Sequence, residues 1–340
     1  MKKTQSIPAF VLRQYAIGKI QGIKPVTAGL IHQTFEMKTE QGQYIMQRLH
    51  PILSSDKIGQ DFLMVTRHLH ACKFPAPSCV LTKSGSVLAK DGSAVWRMQT
   101  KLSGQTIDRI ENPNIAREAG EIYARFHRTM DSLSHTFQSP LVLHQTEKVL
   151  VKFLSVIKKF QKSPLMPDVK AEVDFIKQTF PKYLLPANVP KRVIHGDPKI
   201  SNILFLRGKG HALIDLDTCS RSTILVELGD AFRSWCGKEE DDPRNTFSLS
   251  LFKAAWRGYK NGADGFLTKR ETALVPKAIG TITLELAARF LTDYFEDSYF
   301  GWDTKHYSSR RAHNLARCRG QLKEFSDYQK KLPQIKKIVQ

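Results

Sequence analysis

Apolar and polar residues alternate with a period of two over much of the first hundred positions. Residues 22–29 lead into two such runs within 31–49, which are joined by a polar turn at 40–42 and predict a β-hairpin. Further strands are predicted where Ser-Gly and Asp-Gly turns separate short apolar runs, at 78–82, 86–90 and 93–100. Between them, after Ser54 or Ser55 as a cap, a helix is predicted from about residue 56 to 72. Its apolar face would be formed by Ile58, Phe62, Val65 and Leu69.

From Leu102 onward the apolar residues recur at helical spacing. Helices are predicted over residues 114–130, 145–161, 168–183, 225–236, 247–262, 273–299 and 310–331. One exception interrupts them, because residues 203–206 and 211–216 read as two short strands around a basic glycine turn. The pattern predicts an α+β fold with a small β-rich lobe over residues 1–101, a hinge near 98–104 and a larger, mainly helical lobe over 102–340.

Length and composition add few constraints. A chain of 340 residues is long for one small core, so two lobes are expected. No apolar run is long enough to cross a bilayer, and the N-terminal segment lacks the apolar core of a secretory signal. The five cysteines form no CxxC pair, which favours reduced thiols over disulfides or a zinc site. We therefore expect a cytoplasmic protein with no membrane contact.

The chain is strongly basic, with 52 Lys and Arg against 32 Asp and Glu and a net charge of +20. Such a field attracts phosphorylated ligands, anionic membrane surfaces or nucleic acid. The basic residues are spread widely, and the sequence has no RGG tract, zinc-finger spacing or aromatic RNA-binding stripe. Specific nucleic-acid binding is not expected, although a basic nucleic-acid-binding protein stays open as an alternative class. The oligomeric state is not predicted.

Two polar segments carry the groups that phosphoryl transfer needs: VIHGDPKISNILF at 193–205 and ALIDLDT at 212–218. Transfer from ATP requires a carboxylate that orients or deprotonates the acceptor hydroxyl, and oxygen ligands for magnesium. Asp197 is the candidate base, and Asn202 and Asp215 are the candidate magnesium ligands. Lys199 is a candidate to reach the transferred phosphate. The alternative without chemistry is a helix-capping loop, with Asp215 in a surface turn.

The segments HGDPKISN and ALIDLDT resemble the catalytic and metal-binding segments of the aminoglycoside phosphotransferase/choline kinase superfamily, relatives of protein kinases. Four further segments resemble its N-acetylhexosamine 1-kinase-like branch: AGLIHQTFEMKTEQGQYIMQRLHP, LGDAFRSWCG, RFLTDYFEDSYFGWD and NLARCRGQLKEF. The resemblance covers roughly residues 20–330. It implies a bilobal protein-kinase-like fold, with ATP and Mg²⁺ as cofactors.

The resemblance gives Asp197 the role of base and makes Asn202 and Asp215 magnesium ligands. Because all three are present, a non-catalytic kinase-like scaffold is disfavoured. The resemblance further implies that Asp230, on a later helix, braces the catalytic loop. Arg233 lies three residues after Asp230, so it either pairs with that aspartate or points at the substrate, and both readings stay open.

The segment that resembles the phosphate-binding hairpin departs from the usual kinase pattern. It has a single glycine, Gly29, so that backbone donors and Thr34 or His32 would have to bind the phosphates. Its third strand carries Gln47 and Arg48 where a lysine is usual, and strand alternation places these two on opposite faces. Arg48 is chosen as the residue that faces ATP because it carries the charge, although a shift of one residue in register would select Gln47.

Two further expectations concern the nucleotide. Asp61 is the nearest acidic residue in the following helix that could pair with the third-strand cation. The hinge is expected to present backbone groups of Gln99, Thr100 and Lys101 to adenine.

The candidate acceptor site combines Arg233 with an acidic and aromatic group that contains Asp293, Tyr294 and Asp297. Carboxylates and aromatic rings suit a hydroxylated substrate, and a solvated acidic turn at a helix end is the alternative. A chain of net charge +20 is a poor long-range attractor of polycations. The predicted acceptor is therefore a sugar or N-acetylhexosamine, with an aminoglycoside or amino alcohol as the alternative.

Overall fold

The structure is a computed structural model that describes residues 6–26, 32–139 and 141–340. A lobe built on an antiparallel sheet precedes a mainly helical lobe, which confirms the predicted α+β architecture. The turn that contains Gly29 lies outside the described residues.

The sheet lobe contains a six-stranded antiparallel sheet and two helices among its described residues. In chain order these are α1 (Ala9–Arg13), β1 (Ile20–Val26), β2 (Gln33–Thr39), β3 (Gly42–Arg48), α2 (Asp56–Ala71), β4 (Cys79–Val80), β5 (Ala89–Asp91) and β6 (Ala94–Thr100). The strand order is β1-β2-β3-β6-β4, and β5 pairs with the other end of β6. The sheet therefore places β6, the strand that leads into the hinge, beside β3.

Local chemistry explains the elements that the sequence predicted in this lobe. Strands β2 and β3 form the predicted hairpin, closed at the pair Thr39 and Gly42. Helix α2 begins where Ser55 Oγ accepts a hydrogen bond from the backbone N–H of Ile58, so the predicted serine cap is confirmed. The four predicted apolar positions of this helix are all buried.

The helical lobe follows the predicted series of helices. These are α3 (Pro113–Met130), α4 (Thr146–Lys159), α5 (Lys170–Tyr183), α6 (Ile224–Cys236), α7 (Leu249–Ala263), α8 (Lys269–Glu296) and α9 (Arg310–Val339). Four short strands lie between α5 and α6: β7 (Arg192–Ile194), β8 (Ile203–Leu206), β9 (Lys209–Leu213) and β10 (Ser220–Ser222). Strands β8 and β9 pair as predicted, whereas the pairing of β7 with β10 was not foreseen.

The buried apolar residues that the structure describes form three clusters. The largest fills the helical lobe and includes residues of α2, and a second lies between the sheet and the N-terminal segment and contains Trp96 and Met98. Both of these residues are buried. In the helical lobe α3 and α7 cross in close contact, because a Cβ atom at Gly258 would lie 1.9 Å from the Arg117 carbonyl oxygen. This close crossing brings side chains of α3 and α7 together beneath the catalytic loop described below.

Among the described residues, the structure contains no helix that is both long enough and apolar enough to cross a membrane.

Candidate active site

Two strand pairs bring the predicted catalytic residues together. Strand β7 leads into the loop 195–202, and its partner β10 begins just after the second acidic segment, with Ile194 opposite Ser220. Strands β8 and β9 close the other side, where the backbone N–H of Ile214 donates to the carbonyl oxygen of Asn202 at 3.0 Å. The catalytic loop and the acidic segment thus lie side by side.

A buried glutamate on α6 holds the start of the catalytic loop. Glu227 accepts hydrogen bonds from the backbone N–H groups of His195 at 3.1 Å and Gly196 at 2.6 Å. On its other side it contacts His127 Nε2 of α3 at 2.5 Å, and His127 Nδ1 lies 2.8 Å from the hydroxyl of Tyr259 on α7. Burial opposes ionisation, but His127, His195 and the amide of Gly196 together lower the pKa of Glu227 below its usual value. Glu227 is therefore a buried anion fixed by donors.

Gly196 permits the tight path of this loop. Its φ angle is +89°, and a Cβ atom there would lie 2.4 Å from the carbonyl oxygen of Thr218. The Thr218 hydroxyl donates to the His195 carbonyl oxygen at 2.8 Å, and Trp235 Nε1 donates to the Pro198 carbonyl oxygen at 2.9 Å. Backbone groups of the loop are thus satisfied by neighbouring elements, which leaves its side chains to set the chemistry.

His195 stabilises the loop through hydrogen bonds, and we assign it no chemical step. Its Nδ1 atom accepts from the backbone N–H of Asp197 at 3.4 Å, and its Nε2 atom lies 2.9 Å from the Ile214 carbonyl oxygen. This places the ring between the catalytic loop and the acidic segment.

The reactive side chains of the loop lie together. Lys199 Nζ is 3.1 Å from Asp197 Oδ2, and the Asn202 side-chain nitrogen donates to the backbone oxygen of Asp197 at 2.9 Å. Because Asn202 uses its nitrogen within the loop, its Oδ1 atom is the one that can bind a cation. The Asp197 side chain is mostly buried, with 11% of its surface exposed, whereas Lys199 remains 57% exposed.

Asp215 has the properties of a cation ligand. It adopts the left-handed backbone conformation, with φ of 61°, at the end of β9. Burial raises the pKa of its carboxyl group, and the neighbouring carboxylates of Asp217 and Asp197 raise it further. The oxygen ligands and this unbalanced negative charge fit a hard divalent cation such as Mg²⁺, held by Asp215 and by Oδ1 of Asn202.

Asp217, two residues later, is already paired. Arg97 of β6 forms a two-pronged ion pair with it, in which Nη2 lies 2.7 Å from Oδ2 and Nη1 contacts Oδ1. Burial opposes ionisation, but this arginine holds the pKa of Asp217 well below its usual range. Asp217 thus balances the buried guanidinium group of Arg97, and both of its carboxylate oxygens accept hydrogen bonds from that group.

His32 lies beside the same cluster and presents its Nε2 atom to it. Its Nε2 atom and carboxylate oxygens of Asp215 and Asp217 all lie within 4.8 Å of one another. However, His32 Nδ1 accepts a hydrogen bond from the backbone N–H of His50 at 3.1 Å, so the neutral ring carries its proton on Nε2. This buried Nε2–H has no hydrogen-bond partner among the described residues and lies 3.6 Å from Asp217 Oδ2. His32 therefore offers a donor to an anion.

The register of β3 decides which residue faces this cluster. Thr34 pairs with Gln47, and Gln47 pairs with Arg97, so these three form one row on one face of the sheet. Gln47 Oε1 accepts from Arg97 Nη2 at 2.8 Å. Arg48 lies on the other face, in the row that contains buried Trp96. This placement corrects the choice of Arg48 as the residue on the cleft face.

The predicted role of Asp61 is also wrong. Its carboxylate contacts His135 Nε2 at 2.7 Å and accepts from the backbone N–H of Gln138 at 3.0 Å, so it ties α2 to the loop after α3. The neighbouring residue on α2 meets the buried cation instead, because the ring centroid of Phe62 lies 3.7 Å from the Arg97 guanidinium carbon.

Two of the three predicted hinge amides are already engaged. The backbone N–H of Thr100 donates to the Ser78 carbonyl oxygen at 2.9 Å, and that of Lys101 donates to the Gln43 carbonyl oxygen at 2.9 Å. Gln99 is buried, and β6 pairs there with both β3 and β4. The Thr100 and Lys101 amides are thus used within the sheet lobe, and contact of other backbone groups of residues 99–101 with adenine stays a prediction.

Arg233 pairs with Asp230, which was one of its two predicted roles. Its Nε and Nη2 atoms donate to Asp230 Oδ1 at 3.0 and 2.9 Å. Asp230 also contacts His144, whose Nε2 atom lies 3.5 Å from Asp230 and whose Nδ1 atom lies 2.9 Å from Glu285. Burial lowers the pKa of His144, but the carboxylates of Glu285 and Asp230 outweigh it and raise that pKa to about 10. Asp230 is balanced by two cations and does not touch the catalytic loop amides, which Glu227 holds.

The acidic residues at the end of α8 organise their own loop. Asp293 accepts from the backbone N–H groups of residues 298, 299 and 300 at 2.8–2.9 Å, and Asn314 Nδ2 donates to it at 2.8 Å. Asp297 lies 3.6 Å from Arg310 and 3.5 Å from Arg311, and Tyr294 is buried. A groove of about 380 Å³ lined by Asp293, Tyr299 and Arg289 runs beside this loop.

Arg97 and Glu227 are the functional residues that sequence reasoning missed. Arg97 is separated from its partner by 120 positions, and Glu227 lies 31 positions from Gly196. A charged residue within an apolar run is the available signal, since each of the two lies among buried apolar residues of β6 or α6.

Comparisons with known proteins agree with this geometry. A family model described as the phosphotransferase enzyme family matches residues 22–261. A homoserine kinase from Polaromonas naphthalenivorans is 23% identical over 273 residues, which cover 79% of this chain and 81% of that protein.

Solved structures share the whole fold. An aminoglycoside phosphotransferase from Alicyclobacillus acidocaldarius superposes with a TM-score of 0.71 at 15% identity, covering 99% of this chain and 97% of that one. The amicoumacin kinase hAmiN, in complex with AMP-PNP and Ca²⁺, superposes with a TM-score of 0.63 at 15% identity over 90% of each chain. The fold is therefore protein-kinase-like. The chain belongs to the phosphotransferase enzyme family and is a small-molecule kinase that acts on an alcohol group.

Proposed function

We propose that the protein transfers the γ-phosphoryl group of Mg·ATP to a hydroxyl group of a small acceptor that carries no net positive charge. The observation that carries this proposal is the assembly of Asp197, Asn202 and Asp215 by two short strand pairs. These are the groups that phosphoryl transfer requires, in a loop whose backbone is already satisfied.

Asp197 acts on the acceptor. It orients the hydroxyl group and takes its proton, while the acceptor oxygen forms a bond to the γ-phosphorus and the bond to the bridging oxygen of ADP breaks. Asn202 Oδ1 and Asp215 would hold the magnesium ion, which neutralises charge on the phosphates. Lys199 is exposed enough to leave Asp197 for the transferred phosphate.

The nucleotide would lie between the sheet lobe, residues 1–101, and the catalytic loop. His32 Nε2–H is a donor beside the acidic cluster with no hydrogen-bond partner among the described residues, and Thr34 shares its sheet face with Gln47. The complex of amicoumacin kinase with AMP-PNP and a divalent cation supports the use of a nucleotide and metal by this fold.

The charged groups near Asp197 favour some classes of acceptor over others. Beside Asp197 lies the ammonium group of Lys199, and Asp230 is neutralised by Arg233 and His144. A cationic acceptor such as an aminoglycoside or amino alcohol would therefore meet the ammonium group of Lys199 as it approaches Asp197. A neutral sugar, including an N-acetylhexosamine, is the first candidate. Homoserine is the second, because curated relatives are homoserine kinases and Lys199 could pair with its carboxylate.

The test is a phosphorus NMR assay of Mg·ATP consumption with separate acceptors. The panel contains hexoses, N-acetylhexosamines, homoserine, aminopropanol and an aminoglycoside, and the Asp197→Asn variant is the control. We expect one new phosphate resonance with a sugar or homoserine, and none with the variant. A product with aminopropanol or the aminoglycoside alone would contradict the charge argument. Failure of the wild-type protein to bind Mg·ATP would contradict the kinase assignment.

A further inference from the structure

A buried ion pair joins the two lobes next to the metal-binding residues. Arg97 comes from β6 of the sheet lobe, and Asp217 follows Asp215 in the helical lobe. Each side chain is only 1% exposed, so both charges are removed from water. A charge buried in this way persists only when its partner has good geometry, because losing one partner leaves the other uncompensated.

The surroundings of Arg97 orient it toward Asp217. Gln47 Oε1 accepts from Nη2, the face of Phe62 lies against the guanidinium group at 3.7 Å, and the two-pronged contact takes one hydrogen from each terminal nitrogen. Three elements of the sheet lobe therefore fix this side chain: β3, α2 and β6. Together these contacts hold the guanidinium group of Arg97 against Asp217 in the acidic segment.

The third strand explains why an arginine is needed on β6. At the cleft-facing position of β3 the chain carries Gln47, which is neutral, while the neighbouring Arg48 lies on the other face. The cationic group on this face comes from the adjacent strand, one position across the sheet. It is directed at the acidic segment rather than at an acid of α2, since Asp61 contacts His135.

We propose that Arg97 is a positioning residue that replaces the third-strand cation: by holding Asp217 it sets the backbone of the acidic segment, so that Asp215 points at the metal, and keeps the lobes in their working alignment. Asp215 has a left-handed backbone and lies two residues before Asp217, so a shift at one is transmitted to the other. The inference rests on the proposed function for its metal-dependent readout, and its stability readout is independent of that function.

The experiment separates positioning from simple stabilisation. Calorimetry measures ATP affinity with and without Mg²⁺, and thermal unfolding measures Tm, for the wild type, Arg97→Lys and the double variant Arg97→Met with Asp217→Leu. Lysine keeps the charge but loses the two-pronged geometry. The double variant replaces the pair by apolar groups, which often restores stability.

We expect Arg97→Lys to fold and to lose about tenfold of the gain in ATP affinity that Mg²⁺ provides, equivalent to one lost directional contact. In the double variant we expect a Tm near the wild-type value and a similar or larger loss of that gain. A merely structural pair would not move this readout once Tm is restored.

The matched control is Glu271→Gln. Glu271, in the first turn of α8, forms a two-pronged pair with Arg192, which also lies against a phenylalanine ring, and among the described residues neither side chain contacts Asn202 or Asp215. Its variant should lower Tm and leave the Mg²⁺ gain unchanged.

The proposal would be overturned if Mg²⁺ increased the ATP affinity of Arg97→Lys as much as that of the wild type. It would also be overturned if the double variant had a restored Tm and the same gain in ATP affinity from Mg²⁺ as the wild type. If the double variant does not fold, Arg97→Lys alone decides. Absence of Mg·ATP binding in the wild type would instead refute the proposed function, while a lowered Tm of Arg97→Lys would still show that the ion pair stabilises the fold.

Discussion

The catalytic loop and the loop after α8 are organised by the same device, a buried carboxylate that accepts backbone N–H groups. In the catalytic loop the carboxylate is Glu227, which comes from α6, so Asp197 remains available for chemistry. In the loop after α8 the carboxylate is Asp293 itself, and its oxygens are taken by that loop and by Asn314. An acidic residue in a polar loop is therefore a reactive candidate only when another group anchors the backbone.

The largest expected effect tests the reactive side of this comparison. Asp197→Asn removes the base but keeps the side-chain size, so kcat should fall by roughly 10²–10⁴-fold. Affinity for Mg·ATP should stay near the wild-type value, because Asn202 and Asp215 are unchanged. Single-turnover kinetics with calorimetry would measure both. Retained turnover would remove Asp197 from the role of base.

The next effect tests the structural side. Asp293→Asn removes a charged acceptor of four hydrogen bonds, so the free energy of unfolding should fall by about 2 kcal/mol. The acceptor KM should change little, measured well below the melting transition. The control is Asp297→Asn, whose carboxylate is partly exposed and should affect stability less. A large rise in KM without loss of stability would restore the predicted substrate role of Asp293.

A third buried carboxylate, that of Glu324, extends the comparison to the pH dependence of stability. Glu324 accepts only from the side chains of Asn245 and Gln321, its Oε1 atom has no partner among the described residues, and burial raises its pKa to about 8. Because an unfolded glutamate releases its proton near pH 4.5, the folded state should lose stability as pH rises from about 4.5 to 8.

The measurement is chemical denaturation between pH 5 and 8. Glu324→Gln should flatten the decline, by on the order of 1 kcal/mol or more across this window. The control is Glu296→Gln, which removes an acid that pairs with Lys152 and should leave the slope unchanged. Equal slopes in the wild type and Glu324→Gln would contradict the assigned proton.

The smallest effect concerns the two faces of β3. Gln47→Leu removes the acceptor from Arg97 and should raise the KM for ATP several-fold, equivalent to about 1 kcal/mol. Arg48→Leu, on the opposite face, should change it less than twofold. Steady-state kinetics at varied ATP would measure both, and a larger effect from Arg48 would show that the cleft face has been misassigned.

Local patterns predicted most of the fold. The β2–β3 hairpin and the helix after Ser55 follow from alternation, helical spacing and a cap, all within a few neighbouring residues. The predicted grouping of Asp197, Asn202 and Asp215 has the same origin, since the three residues are close in sequence. Strands β7 and β10 were missed because three residues carry too little pattern.

Residues that act across the fold were not predictable. The row Thr34–Gln47–Arg97 depends on the register of three strands, which the sequence does not determine, so Arg48 was selected by its charge alone. The use of Asp61 and Asp293 by backbone amides depends on tertiary packing, as does the anchoring role of Glu227. Charge type can be read from the sequence, but the partner that neutralises it cannot.

Asp215 is the residue on which the phosphotransferase assignment depends most directly. The decisive measurement is the Mg²⁺ dependence of ATP binding, by calorimetry, in the wild type and in Asp215→Asn. We expect Mg²⁺ to strengthen ATP binding to the wild type and to Asp197→Asn, and to have little effect on ATP binding to Asp215→Asn. The same gain from Mg²⁺ in Asp215→Asn as in the wild type would contradict the metal site and the mechanism built on it.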